Sequence, residues 1–99
     1  MNKTEIDVYK CNDTINSVDD WAEFVRRHRN IFAYKTIRRR YNIGRYYVVK
    51  EFSYYDDGSR DVWLWIYDPA TKYYCVAQHI DPKKEIRIFV RCVDKLKNI

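Results

Sequence analysis

Closely spaced turns are the sequence feature that most limits how this chain can fold. Beyond residue 30, segments rich in β-branched and aromatic residues are separated by turn signals at residues 42–44, 56–59, 68–71 and 81–84. The Asp57-Gly58 pair is typical of a hairpin, because both residues tolerate the positive φ that tight hairpin turns need. Parallel pairing would require long crossover connections, which turns this short exclude. The sequence therefore predicts an antiparallel meander.

The expected strands occupy most of the chain. We expect five or six of them, at residues 3–10, 31–41, 45–55, 60–67, 72–79 and 85–93, followed by a basic tail at residues 94–99. A chain of 99 residues corresponds to a single domain. Its apolar runs are too short for a membrane span, and the N-terminus lacks the apolar stretch of a signal peptide. We therefore expect one intracellular domain that does not associate with membranes.

One segment has the apolar periodicity of a helix. Val18, Trp21, Ala22 and Val25 recur at the spacing of one helical face. Ser17 precedes this run at the position of an N-cap, with acidic residues in the first turns and basic residues in the last. The sequence predicts a helix at residues 18–29 and, with the strands, an α+β fold in which one helix packs on the antiparallel sheet.

Strand alternation divides the later residues between two sheet faces. One face is aliphatic, and we expect the helix to cover it; its members are Val62, Leu64, Ile66, Tyr73, Cys75, Ala77, Ile86, Ile88, Val90 and Cys92. The opposite face is aromatic with interspersed arginines; its members are Trp63, Trp65, Tyr67, Tyr74, Val76, Gln78, Arg87, Phe89 and Arg91.

Three interpretations of the aromatic face stay open. The N-terminal strand or a bent first hairpin could cover it. It could be an interface with a second copy or another protein, with Trp63, Trp65, Tyr74 and Phe89 as anchors, since Trp, Tyr and Arg dominate binding energy at interfaces. It could also be a stacking platform for single-stranded nucleic acid.

Positive charge is concentrated in one part of the chain. The formal net charge is +5. Residues 26–45 include Lys35 but no acidic residue. Their arginines are the predicted phosphate contacts: Arg26, Arg27, Arg29, Arg38, Arg39, Arg40 and Arg45. The planar guanidinium suits phosphate recognition. A solvated charged face is the alternative interpretation of the same run.

The sequence contains no arrangement typical of an enzyme. Phosphate-binding loops, dinucleotide-binding glycine patterns and metalloprotease or nucleophile-elbow motifs are missing. His28 is better explained by the helix C-terminus than by catalysis. Cys11, Cys75 and Cys92 lack the spacing of a zinc site and are expected to be buried free thiols. We therefore expect no enzyme activity, no metal and no cofactor.

The sequence has two distinctive stretches, RRHRNIFAYKTIRRRY and DVWLWIYDPATKYYCV, with ten tyrosines but only two glycines and two prolines in the whole chain. In these features it resembles the small proteins of filamentous viruses that infect hyperthermophilic archaea, the lipothrixviruses and rudiviruses. It implies a thermostable domain of unassigned function in the cytoplasm of an infected cell. In such a host, a disulfide between Cys75 and Cys92 would be compatible with an intracellular protein.

Two functions follow as hypotheses. The first is non-enzymatic nucleic-acid binding through the arginines, dominated by phosphate contacts and therefore sensitive to salt. The alternative is a protein-interaction module, such as an inhibitor of a host factor, that acts through the aromatic face and can form a homodimer.

Overall fold

The computed structural model describes residues 6–28 and 30–99. In chain order the elements are β1 (Ile6–Lys10), α1 (Val18–Arg27), β2 (Lys35–Ile43), β3 (Tyr46–Tyr54), β4 (Arg60–Asp68), β5 (Tyr73–His79), a one-turn 3₁₀ helix (Pro82–Lys84) and α2 (Glu85–Lys97). The strands form one five-stranded sheet in the order β1-β5-β4-β3-β2. The predicted α+β class is confirmed, with a second helix that the sequence did not lead us to expect.

The meander is also confirmed. Strands β2 to β5 are joined by consecutive antiparallel hairpins. The turn from β2 to β3 begins at Gly44, where φ is +58°, a backbone conformation that glycine adopts without strain. Strand β1 then adds to the free side of β5, with Tyr9 opposite Tyr74. The two ends of the meander are thus different, because β1 protects β5 while β2 forms the other edge.

Helix α1 begins where the sequence predicts. The Ser17 hydroxyl accepts a hydrogen bond from the Asp20 backbone N–H at 3.1 Å. The Asp20 carboxylate in turn accepts from the Asn16 N–H at 2.9 Å, so two donors at the helix start are satisfied. The helix ends at Arg27, with His28 as its C-cap. Arg29, the last residue of the predicted helix, lies outside the described residues.

The prediction of a strand at residues 85–93 is wrong, because α2 occupies Glu85–Lys97. Ile88, Cys92 and Leu96 are buried at a spacing of one helical turn, whereas Ile86 and Val90 are exposed. Ile86, Ile88, Val90 and Cys92 occupy every second position of the segment, and this apolar alternation is also typical of a strand. The residues expected as a tail belong mostly to this helix, and Leu96 anchors them in the core.

Asp81 and Pro82 start the C-terminal helical segment rather than only turning the chain. The Asp81 carboxylate accepts a hydrogen bond from the Lys83 N–H at 3.0 Å, as an N-cap does. Pro82 follows at a position where its missing N–H costs nothing. The same two residues are compatible with a type I turn, which is why the sequence alone does not separate the two structures.

Each helix covers a different face of the sheet. Helix α2 packs on the aliphatic face, where its buried residues join Leu64, Ile66 and Cys75 in one core cluster. Helix α1 packs on the aromatic face, where Trp21, Phe24 and Val25 join the second cluster. The expectation that α1 covers the aliphatic face is therefore wrong, because α2 already fills it.

Phe89 does not belong to the aromatic sheet face. It lies on α2 and packs, partly buried, against the aliphatic core, together with Val93. The predicted neighbours Arg87 and Arg91 are exposed on the same helix. The alternation that placed these three residues beside Trp63 and Trp65 does not apply to a helix.

The three cysteines are free and buried, and none forms a disulfide. Cys75 on β5 and Cys92 on α2 belong to the same core cluster. The neighbouring Cys92 thiol and burial both raise the pKa of Cys75, whereas the Cys75 thiol lowers the pKa of Cys92.

Two isoleucines on α2 test the helical packing. Replacing Ile88 with Ala is expected to lower the free energy of unfolding by about 2 to 5 kcal/mol, because the side chain is buried and a cavity remains. Ile86→Ala, the matched control, should change it by less than about 0.5 kcal/mol, because Ile86 is exposed. Urea denaturation followed by circular dichroism measures both. Equal losses would contradict the helix, since a strand would bury both residues.

Candidate functional site

Helix α1 covers only part of the aromatic face and leaves an open groove beside it. The groove has a volume of about 1190 Å³. Trp63, Trp65 and Tyr74 form its aromatic surface, and all three are half-buried. The structure therefore brings together three of the four predicted interface residues. Among the described residues, helix α1, rather than the N-terminal strand or a bent first hairpin, covers part of the aromatic face, and the groove is the part that stays open.

Trp21 of α1 fixes the covered side of the groove. Its indole N–H donates to the Trp65 carbonyl at 3.1 Å. Its ring lies 5.0 Å from that of Tyr67 and 5.2 Å from that of Tyr74, measured between centroids. Aromatic contacts at these separations are favourable beyond the burial of area alone. The packing holds Trp65 and Tyr74 in place at the edge of the groove.

Glu51 lies in the floor of the groove as half of a buried ion pair. One carboxylate oxygen accepts from the Trp65 indole N–H at 2.8 Å, and the other accepts from Arg38 Nε at 2.7 Å. Only 3% of Glu51 is exposed. Burial raises the pKa of the Glu51 carboxyl, although Arg38 and the Trp65 indole both act to lower it. The pair neutralises the charge of both side chains within the sheet.

Asp61 is the second buried carboxylate of the groove. Its Oδ2 accepts from the Tyr55 hydroxyl at 2.8 Å and from the Gln78 amide at 2.6 Å. Tyr55 in turn accepts a hydrogen bond from the Asn30 amide at 2.6 Å. Asp61 is 7% exposed, yet its Oδ1 makes no hydrogen bond with any described residue. The carboxylate thus keeps unused acceptor capacity in a buried position.

Two further polar groups close to Asp61 also lack hydrogen bonds within the described part of the chain. They are the Trp63 indole N–H and the Ser53 hydroxyl. Ser53 is paired directly with Asp61 across β3 and β4, and Trp63 follows two residues later on the same face. The Tyr55 hydroxyl lies among them, and its pKa is raised first by burial and then by Asp61. Polar groups without partners therefore gather at one place.

Exposed apolar side chains stand at the rim of the groove. Phe32, in the loop after α1, is 81% exposed, and Ile80, after β5, is 78% exposed. Both residues line the groove. Such large apolar residues are costly to leave in water, and a contiguous group of them usually marks an interaction surface.

The predicted phosphate-binding arginines are mostly engaged in ion pairs. Five of them bind carboxylates, in the pairs Arg26–Glu23, Arg27–Asp13, Arg38–Glu51, Arg40–Asp19 and Arg45–Asp68. Arg39 instead lies over the Phe52 ring, 6.0 Å from its centroid. Arg29 lies outside the described residues.

The arginines are also distributed over different surfaces. Arg38 is opposite Glu51, and its side chain lies on the face that α1 partly covers. Arg39, the next residue along the strand, points to the opposite face. Arg26 and Arg27 lie in the last turn of α1. The charge run in the sequence therefore does not become one continuous basic patch among the described residues.

The two histidines have structural partners. His28 Nδ1 donates to the Phe24 carbonyl at 2.7 Å, and its ring stacks on that of Phe24. His79 Nε2 donates to Glu85 at 3.0 Å, beside a Lys50–Glu85 ion pair. Within residues 6–28 and 30–99, no three His, Cys, Asp or Glu side chains converge to hold a metal ion. No described helix is long and apolar enough to cross a bilayer.

Sequence reasoning missed the polar part of the groove. The four residues concerned are Asn30, Glu51, Tyr55 and Asp61. Glu51 and Asp61 interrupt the apolar pattern of β3 and β4 on the aromatic face, and such an interruption was the available signal. It was obscured because the register of β3 was open and Asp61 adjoins a turn, where acidic residues are common.

The raised pKa of Glu51 predicts a specific dependence of stability on pH. Its folded-state pKa exceeds the ordinary value of 4.5, so the native state binds a proton more tightly than the unfolded state. The Glu51 contribution to stability is therefore lost as the pH rises above 4.5 through the raised pKa. Glu51→Gln should remove the loss of stability that urea denaturation detects in the wild type as the pH rises above 4.5.

Glu23→Gln is the control for this measurement. Glu23 is exposed and its pKa is lowered by Arg26, so it titrates below the pH range of the experiment. The pH dependence of this variant should match that of the wild type. Identical pH profiles for wild type and Glu51→Gln would show that burial of Glu51 does not shift its titration.

The residues of the groove have no role that could be transferred from a known protein. No protein-family model matches the chain, and no curated protein matches it. No solved structure matches it either.

Proposed function

We propose that this protein is a non-enzymatic binding module that receives a segment of another polypeptide in the aromatic groove. The observation that carries the proposal is the open half of the aromatic face, where Trp63, Trp65 and Tyr74 stay accessible beside exposed Phe32 and Ile80. Interfaces between proteins are enriched in such residues at their centres.

The construction of the groove favours a rigid binding surface. Its aromatic residues come from the inner strands β4 and β5 of the sheet. Trp21 packs against two of them, Trp65 and Tyr74. Side chains that are already ordered lose little entropy when a partner binds. The rim residues Phe32 and Ile80 lie outside the regular strands and helices, where they can adjust to the partner.

Nucleic-acid binding through the arginines stays a prediction with less support. Ion pairs occupy five of the arginines, and the paired carboxylates offset part of the positive charge that would attract phosphate. The groove itself is lined by Asp7, Asp61 and Asp81, in addition to Glu51, whose charge Arg38 offsets. Carboxylates at this density repel a phosphate backbone. The aromatic platform is therefore better suited to a polypeptide than to a nucleic-acid strand.

Display of random peptides tests the proposal. We expect the wild-type protein to enrich peptides whose binding falls about tenfold or more in Trp63→Ala, because loss of a central Trp anchor costs roughly 2 kcal/mol or more. Phe32→Ser and Ile80→Ser should weaken the same peptides without affecting the fold, because both side chains are exposed. Binding is measured by isothermal titration calorimetry with the selected peptides.

Tyr41→Ala is the matched control, since Tyr41 is a partly exposed aromatic residue on the opposite face of β2. It should leave peptide binding unchanged. Fluorescent single-stranded DNA and RNA are titrated in parallel at low and moderate salt. The proposal fails if no peptide depends on the groove. It also fails if oligonucleotides bind and lose affinity in an Arg38→Ala/Arg39→Ala/Arg40→Ala variant, or if light scattering shows a dimer that Trp63→Ala converts to a monomer.

A further inference from the structure

We propose that the groove binds a cationic side chain of the partner, an arginine or a lysine, beside Asp61. This inference rests on the proposed function and specifies the chemistry that the groove recognises. It depends on three features of the described residues: a buried carboxylate without a countercharge, aromatic rings next to it, and a displaceable side chain above it.

Asp61 differs from the other buried carboxylates that the structure describes. Glu51 pairs with Arg38 at 2.7 Å, and Asp68 pairs with Arg45 at 2.9 Å. Asp61 is also buried, at 7% exposed, but no described cation lies within ion-pairing distance of it. Burying a carboxylate without a countercharge is unfavourable, and an opposite charge from a partner would remove that cost. The carboxylate is therefore complementary to a cation.

The hydrogen bonds of Asp61 leave one oxygen for that cation. Neutral donors, the Tyr55 hydroxyl and the Gln78 amide, bind Oδ2, while Oδ1 has no described partner. An ammonium or guanidinium N–H at Oδ1 would form a charge-assisted hydrogen bond, which is about twice as strong as a neutral one. The free oxygen thus sets both the position and the sign of the ligand charge.

The surroundings of Asp61 favour a cation as well. Trp63, two residues from Asp61 on the same face of β4, lines the groove together with Trp65, and indole faces attract ammonium and guanidinium groups. Asp7 and Asp81 also line the groove and add two negative charges. Lys84, the lysine among the described lining residues, adds one positive charge. Glu51 contributes little, because Arg38 neutralises it. The charge that acts on a ligand is therefore mostly that of the aspartates.

Gln78 provides the route to the buried carboxylate. Its side chain is exposed, yet its amide donates to Asp61 at 2.6 Å. An exposed glutamine changes rotamer on the nanosecond timescale or faster. When the Gln78 side chain rotates away from Asp61, a cation can reach the carboxylate at Oδ1, and Gln78→Ala should consequently increase the affinity for the cation.

The three indole N–H groups of the protein give a direct readout by two-dimensional NMR. The Trp21 indole donates to the Trp65 carbonyl, the Trp65 indole donates to Glu51, and the Trp63 indole has no described partner. The probes are the Nα-acetyl amides of arginine, lysine and citrulline. Citrulline has nearly the shape of arginine but no charge. We expect arginine or lysine to shift the Trp63 and Trp65 signals, and the Trp21 signal to stay in place.

Asp61→Asn tests the role of the charge. Asparagine keeps an acceptor for Tyr55, so the fold should be retained, with a melting temperature equal to or above that of the wild type. The affinity for the cationic probes should fall about tenfold or more, as expected for the loss of a charge-assisted hydrogen bond. Asp94→Asn is the control, because it removes the same unit of charge from an exposed position on α2.

The outcomes separate this inference from the proposed function. The inference is overturned if citrulline binds as well as arginine, or if Asp61→Asn binds the cationic probes like the wild type. Selected peptides that depend on Trp63 but contain no basic residue would overturn it while leaving the proposed function intact. Absence of any peptide that depends on the groove would overturn the proposed function itself.

Discussion

A mismatch of length between helix α1 and the strands on which it packs determines how much of the aromatic face is covered. Helix α1 has 10 residues and is therefore about 15 Å long. Strand β4 has 9 residues and extends for about 30 Å. One short helix cannot cover both ends of such strands, so part of the aromatic face stays open. Helix α2 has 13 residues and lies on the other face, where it cannot compensate.

The local signals in the sequence were sufficient for most of the fold. Period-two alternation and tight turns identify the meander from β2 to β5, and the cap at Ser17 identifies α1. They were insufficient for α2. Up to Cys92, its apolar residues fit the two-residue period of a strand as well as the period of nearly four residues of a helix. Leu96 distinguishes the two patterns, because it continues the helical stripe beyond the point where alternation ends. The expectation that α1 packs on the aliphatic face followed from the missing α2, because without α2 that face would have had no cover.

The aromatic half of the candidate site was predictable, and its polar half was not. Trp63, Trp65 and Tyr74 share a face by strand alternation alone. The partners of Glu51 and Asp61 come from other strands and from the loop after α1, so they depend on register and on tertiary contacts. The same limitation applies to the arginines. Their carboxylate partners are up to 23 residues away in the chain, as for Arg45 and Asp68, and no local pattern indicates such a pair.

The position of β2 gives the arginine-rich segment a physical role that needs no ligand. This strand is the outer member of the sheet on the side away from β1, with nine residues of backbone along that margin. The backbone N–H and C=O groups of a long exposed edge strand can pair with the edge strand of another molecule, which leads to aggregation. Lysine and arginine side chains on the edge strand oppose this pairing. Two molecules approaching through β2 would bring Lys35 and Arg39 of each chain together, and neither residue has a described carboxylate partner. Their mutual repulsion would oppose pairing of the two strands.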